Sequence, residues 1–175
     1  ALTGKLALKE FQEEIPVEDF LESAEKTDGT NPLDGCSYNA ASVTLARSAA
    51  WNNADCDGDG VTNGTEITNG TDPKDGCSYN ATNQILANTS TLWRNADCDG
   101  DGVNNYKELT GTDNNALTTL DNTNPKDGCS YNTVDQVYAS TTLAWKALDC
   151  DGDGLTNKEE IDPNNDGIPD VTTTD

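Results

Sequence analysis

Apolar residues in this chain come in short runs that break off quickly. Lys5-Leu6-Ala7-Leu8-Lys9 alternates in the manner of a strand. Pro16 to Lys26 reads as a short helix, with Pro16 in its first turn and Val17, Phe20, Leu21 and Ala24 on one face. Further on, moderately apolar, β-branched stretches recur as Val43-Thr44-Leu45, as Ile85-Leu86, and as Val134 with Val137-Tyr138. Each has room for a short strand or extended piece. Ser or Thr then precedes small and apolar residues ending in Trp: Ser48-Ala49-Ala50-Trp51, Ser90-Thr91-Leu92-Trp93 and Thr141-Thr142-Leu143-Ala144-Trp145. That order predicts an N-capped helical turn. Each Trp is expected to be the core of its own unit; stacking on carbohydrate is the lesser reading.

These elements recur in register. Asp-Gly-Cys-Ser-Tyr occupies residues 34–38, 75–79 and 127–131, and Asp-Cys-Asp-Gly-Asp-Gly occupies 55–60, 97–102 and 149–154. The first step between the acidic runs is 42 residues and the second is 52, the difference being a Thr- and Asn-rich insertion at about 112–123. A period of this size marks an array of small units. The expected organisation is a leading segment 1–30, a first repeat 31–73, a second 74–123 with the insertion as a surface loop, and a third 124–175 that includes the tail. The fold class expected is a linear array of small irregular α+β repeats with little regular secondary structure. Gly64, Gly70 and the Gly/Thr/Asn/Pro-rich connectors are expected to cut any helix short.

Composition supports small cores. Only 33% of the 175 residues are hydrophobic, too few for one large core without added staples. The net charge of −22 opposes binding to nucleic acid and to anionic membranes. No apolar run reaches membrane-spanning length. The chain has no His, which removes the usual general base, the Ser/His and Cys/His pairs and most zinc sites. It has no Met, so Ala1 is expected to arise from processing or from a longer chain, and a cleaved signal peptide would place it in an oxidising compartment.

The acids sit at fixed positions. With Asp55 as position 1, Asp57, Asp59, Gly60, Asn63 and Glu66 fall at 3, 5, 6, 9 and 12. Asp97, Asp99, Asp101, Gly102, Asn105 and Glu108 repeat the pattern, as do Asp149, Asp151, Asp153, Gly154, Asn157 and Glu160. In an Asp-x-Asp-x-Asp-Gly-x5-Glu loop, alternate carboxylates in a tight turn aim at one centre, position 7 lends its carbonyl (Val61, Val103, Leu155) and the Glu closes the shell. A large shell of hard oxygens suits Ca2+ rather than Mg2+ or Zn2+, so three calcium sites are expected. A weaker fourth pattern, Asp162, Asn164, Asp166, Gly167, Ile168 and Asp170, has Thr173 where the closing Glu belongs. It stands either as a fourth site or as a loop without metal. Asp72, Asp75 and their counterparts could reach a metal or form turns beside Pro.

Position 2 of each loop is a cysteine. Cys36 and Cys56 are 20 residues apart, while Cys77 and Cys98, like Cys129 and Cys150, are 21 apart. Constant spacing within a unit argues for pairing Cys36–Cys56, Cys77–Cys98 and Cys129–Cys150.

The run Asp-Cys-Asp-Gly-Asp-Gly-Val-Thr-Asn-Gly-Thr-Glu, followed by Gly-Thr-Asp-Pro, resembles bacterial thrombospondin type 3 repeats. With Asp-Gly-Cys upstream and Trp-x3-Asp-Cys, it is similar to repeats in large cell-surface proteins of Bacteroidota, often exported by type IX secretion. The resemblance spans about residues 31–170. It implies a calcium-stiffened extracellular stalk, adhesin or fibre, whether as a subunit or as part of a larger surface adhesin. A dockerin-like partner-recognition module and a calcium sensor with paired helices are the alternatives; both require longer helices beside each loop. An enzyme is not expected, because the metal accounts for every close Asp pair. Apolar residues Leu6, Leu8, Phe11, Ile15, Val17, Phe20 and Leu21 make the segment 1–30 the expected contact for self-association into a linear polymer. Asn63, Asn69, Asn80 and Asn88 sit in Asn-x-Ser/Thr sequons, which leaves glycan decoration open.

Overall fold

The computed structural model of the chain describes residues 28–43, 45–111 and 122–170. The expected strand at Lys5–Lys9, the helix from Pro16 to Lys26, all but the last three residues of the self-association segment 1–30 and most of the insertion lie outside these residues. The chain divides into two compact units, Ala1–Trp51 and Asn52–Asp175.

Every described helix is short: α1 (Ala49–Asn53), α2 (Asn63–Asn69), α3 (Thr91–Asn95), α4 (Asn105–Thr110), α5 (Leu143–Lys146) and α6 (Asn157–Ile161). Single 3₁₀ turns lie at Ala40–Ser42, Ala81–Asn83, Leu86–Asn88 and Tyr138–Ser140. Among the described residues there is no strand, so the α+β expectation is corrected to helical and irregular repeats. The apolar pieces at Ile85 and Val137 are extended for one residue and then turn 3₁₀ at Leu86 and Tyr138. Their N–H groups go elsewhere than to a neighbouring strand, as described below for the loops.

The Ser/Thr-to-Trp segments form the expected helical turns. Ser48 Oγ accepts from Trp51 N at 3.1 Å, Ser90 Oγ from Trp93 N at 3.0 Å and Thr142 Oγ1 from Trp145 N at 3.1 Å. Each Trp then packs on its own Asp-Gly-Cys turn. In the first unit Trp51 Nε1 donates to the Gly35 carbonyl at 2.9 Å, and Tyr38 meets the Trp51 ring edge-on at 5.6 Å. In the second unit Trp93 Nε1 donates to the Gly76 carbonyl (2.7 Å) and Trp145 Nε1 to the Gly128 carbonyl (2.6 Å). Tyr79 and Tyr131 repeat the edge-on contact. The glycine is required there: a Cβ on Gly128 would stand 2.9 Å from Trp145 Cδ1. Trp93 and Trp145 are buried, at 2% and 0% exposure, whereas Trp51 is half-buried.

Gly64 does not end a helix as expected. It lies inside α2, with the Asn52 carbonyl 3.0 Å from where its Cβ would be, so it permits a close approach of backbone. Gly70 does end α2, in a left-handed conformation at φ 75°. Cys77 pairs with Cys98 and Cys129 with Cys150, at Cα–Cα distances of 5.4 and 5.3 Å. Cys36 and Cys56 are also in disulfides, and no described cysteine is free.

Candidate metal centres

Each acidic loop is shaped by its own first carboxylate. Asp55 Oδ1 accepts from Gly58 N (2.7 Å) and Asp55 Oδ2 from Gly60 N (3.0 Å). Asp57 Oδ1 then accepts from Asp59 N and Asp59 Oδ1 from Val61 N. Asp97 and Asp149 wrap their loops in the same way. These bonds use one oxygen of the second and third carboxylates and turn the other inward. Asp55, Asp57 and Asp59 thus each present an oxygen within 4.8 Å of the others, as do Asp97, Asp99 and Asp101, and Asp149, Asp151 and Asp153.

Glu66 and Glu108, on the first turns of α2 and α4, are buried against the first two triads. Asp57 Oδ2, Asp59 Oδ2 and both carboxylate oxygens of Glu66 are buried without a hydrogen-bond partner, and so are Asp99 Oδ2, Asp101 Oδ2 and Glu108 Oε2. A buried carboxylate oxygen with no donor is costly. The titration of these groups records the cost. Burial, then the neighbouring acids, push Glu66 up to about 8 and Glu108 up to about 9. Burial likewise raises Asp57 and Asp101 to about 7 and Asp59 and Asp99 to about 6. Glu160 is raised in the same direction, by burial and then by Asp151. All donors are oxygens, since every described cysteine is oxidised. The orphaned oxygens fit a bound cation.

The Asn at position 9 also ties the loop to its own cysteine. Asn63 Oδ1 accepts from Cys56 N at 3.0 Å, Asn105 Oδ1 from Cys98 N at 3.0 Å, and Asn157 Oδ1 from Cys150 N at 3.3 Å. Asn105 Nδ2 also donates to the Trp93 carbonyl and Asn157 Nδ2 to the Trp145 carbonyl, which ties loops 2 and 3 to their Trp residues. In the fourth pattern, Asp162 accepts from Asp166 N and Gly167 N, Asn164 Oδ1 from Asp166 N, and Asp166 Oδ1 from Ile168 N. Asp170 is bonded by Asn164 Nδ2 and is not gathered into a carboxylate triad, and Thr173 lies outside the described residues. Asp72 and Asp75 accept from backbone N–H groups two residues on, the turn-forming role.

The outer faces of loops 1 and 2 carry a feature that spacing did not announce. The Gly58 carbonyl accepts from Ser90 N (2.8 Å) and the Gly60 carbonyl from Ile85 N (3.0 Å), while Gln84 Nε2 donates to the Asp59 carbonyl (2.7 Å). One repeat later, Gly100 takes Thr142 N (2.9 Å), Gly102 takes Val137 N (3.0 Å) and Asp101 takes Gln136 Nε2 (2.7 Å). Val61 joins Tyr79 and Trp93 in one buried cluster, with Leu86 and Leu109 packed against it. Lys107 and the buried Asp135 add an ion pair at 2.6 Å across the second joint. The only sequence signal for this was a Gln seven residues after Cys77 and Cys129.

Three segments, residues 23–35, 55–76 and 149–164, match the family model of the bacterial TSP3 repeat. The first of these reaches into the leading 30 residues, and the other two contain loops 1 and 3. No curated protein and no solved structure matches the chain.

Proposed function

We propose that this chain, a bacterial TSP3-like repeat protein, is a calcium-stabilised structural element outside the cell, a stalk or fibre subunit with an adhesive role. Buried carboxylate oxygens without partners at loops 1 and 2 carry the reading. Asp55, Asp57, Asp59 and Glu66 would hold one ion with the Val61 carbonyl. Asp97, Asp99, Asp101, Glu108 and Val103 would hold a second, and Asp149, Asp151, Asp153, Glu160 and Leu155 a third. Bound calcium would supply the positive charge that these carboxylates lack. Asn63, Asn105 and Asn157, at the ninth position of each motif, would complete the three shells while also bracing the loops from behind, and the carbonyls of loops 1 and 2 seat the following repeat. Loops 1 and 2 would therefore each be both a metal site and the base of a joint, so ordering those loops stiffens the array. Disulfides in every repeat favour an oxidising, extracellular setting. Among the described residues no helix is long and apolar enough to cross a membrane. Self-association of subunits into a linear polymer would extend the array.

Chelation tests the proposal. At free calcium about 100-fold above the dissociation constant, each site adds roughly 2.7 kcal/mol. The melting temperature, followed by circular dichroism, is expected to fall steeply when calcium is removed and to recover when it is restored. A melting curve that a chelator leaves unchanged would end this reading.

A further inference from the structure

We propose that the outer face of the third loop is a docking surface for a second copy of this chain, which seats its first repeat there through Leu45 and residues 47–51. The inference rests on reading the chain as a structural repeat array, and names the joint by which such an array would continue between molecules.

The joint is already present twice in the molecule. Loops 1 and 2 each offer three backbone carbonyls at positions 4, 5 and 6, and a following repeat takes all three. Position 7 of each, Val61 and Val103, is 2% exposed. The third loop has the same first six residues and the same internal hydrogen bonds. Among the described residues, however, no donor reaches the carbonyls of Gly152, Asp153 or Gly154. A Cβ on Gly58 or Gly100 would fall 2.3 Å from a Ser90 or Thr142 hydroxyl, whereas one on Gly152 would meet nothing within 4 Å. Leu155, at the position of Val61 and Val103, is 49% exposed. The third loop is thus the receiving half of a known joint, left open.

The first repeat carries the inserting half. It has the same Tyr–Trp contact as repeats 2 and 3, and the same hydroxyl cap, Ser48, where they have Ser90 and Thr142. Leu45 occupies the place of Leu86, which packs beside Val61, and of Tyr138, which is 8% exposed. Leu45 itself is 49% exposed. Charge is also complementary: Arg47, stacked on Trp51 at 4.6 Å, stands where Thr89 and Thr141 stand in the later repeats, opposite a loop whose three aspartates are exposed. Val43 replaces the Gln, and the Cys-to-Trp segment is one residue shorter, so the joint between copies lacks one hydrogen bond and is weaker than the two within the chain. Because donor and acceptor faces differ, the contact is heterologous and propagates.

Two single variants of the full chain, studied by sedimentation velocity in millimolar calcium, decide the matter. Gly152→Asn places a side chain in the docking space at a φ of 79°, which Asn tolerates, and blocks the acceptor. Leu45→Asp blocks the donor. The wild-type chain is expected to form concentration-dependent oligomers, each variant alone to stay monomeric, and an equimolar mixture to form a dimer of twice the monomer mass. A monomeric wild type, a single variant that still assembles, or a mixture that stays monomeric overturns the proposal. Abolition of assembly by Leu6→Asp/Leu8→Asp would place the joint in residues 1–30 and overturn it as well. Melting each sample with and without calcium tests the structural reading separately: a mixture whose variants remain calcium-stabilised but form no dimer defeats the docking surface alone.

Discussion

Removing the metal should make the protein acid-stable and base-labile, an inversion that follows from the carboxylates of loop 2. Glu108 titrates near 9 in the folded metal-free chain, up from 4.5, with burial the leading cause and the charges of Asp99 and Asp101 next. A group whose folded pKa is raised contributes stability that is full below its unfolded pKa and is lost as pH climbs through the folded value. At about 1.4 kcal/mol per pH unit, ionising Glu108 alone would cost up to about 6 kcal/mol. That is comparable with the whole stability of a small domain. Asp101, raised to about 7, acts in the same direction over a lower range. The metal-free chain is therefore expected to lose melting temperature steadily between pH 5 and pH 9, while the calcium-loaded chain holds or gains over the same range. Glu108→Gln sharpens the test. With no charge to bury, it should melt higher than wild type by on the order of 10 °C at pH 9 without metal, and lower than wild type with calcium present. A metal-free wild type whose melting temperature is flat or rises with pH, or a Gln variant that is destabilised in both states, would refute the reasoning.

The joints between repeats and the staples within them can be probed separately. A Cβ at Gly102 would stand 2.7 Å from the Val137 carbonyl, whereas at Gly154 it meets nothing, although both residues have positive φ. Gly102→Ala should thus cost clearly more than the 1–2 kcal/mol of backbone strain expected for Gly154→Ala, and equal losses in denaturant unfolding would contradict the seating of repeat 3 on loop 2. Replacing Cys77 and Cys98 together by Ala opens a loop of 21 residues and should lower stability by about 3 kcal/mol in calcium. A loss near zero would show that the metal alone holds the second repeat.

The acidic loops with their gathered carboxylates, the helical turn before each Trp and the TSP3-like character were legible in the sequence because each is local. A loop of twelve residues determines its own geometry, since Asp55 folds it by bonding N–H groups three and five residues away. Ser90 caps its helix by the same logic, accepting from an N–H only three residues on. What spacing could not reveal lies between residues far apart in the chain. The apolar, β-branched character of Ile85 and Val137 pointed to strands, yet their N–H groups pair with loop carbonyls 25 and 35 residues back, and the following residues wind into 3₁₀ turns. Asn63, Asn105 and Asn157 occupy ligand positions of the motif, and the fold gives each amide oxygen a second role that spacing did not announce, accepting from a cysteine N–H. Three loops alike in sequence also differ in environment. Asp59 and Asp101 are fully buried while Asp153 is exposed, because burial is set by whether another repeat sits on the loop. Motif spacing encodes the turn that gathers the carboxylates; only packing decides which of those turns is shut away from water, and hence how strongly its charges need a cation.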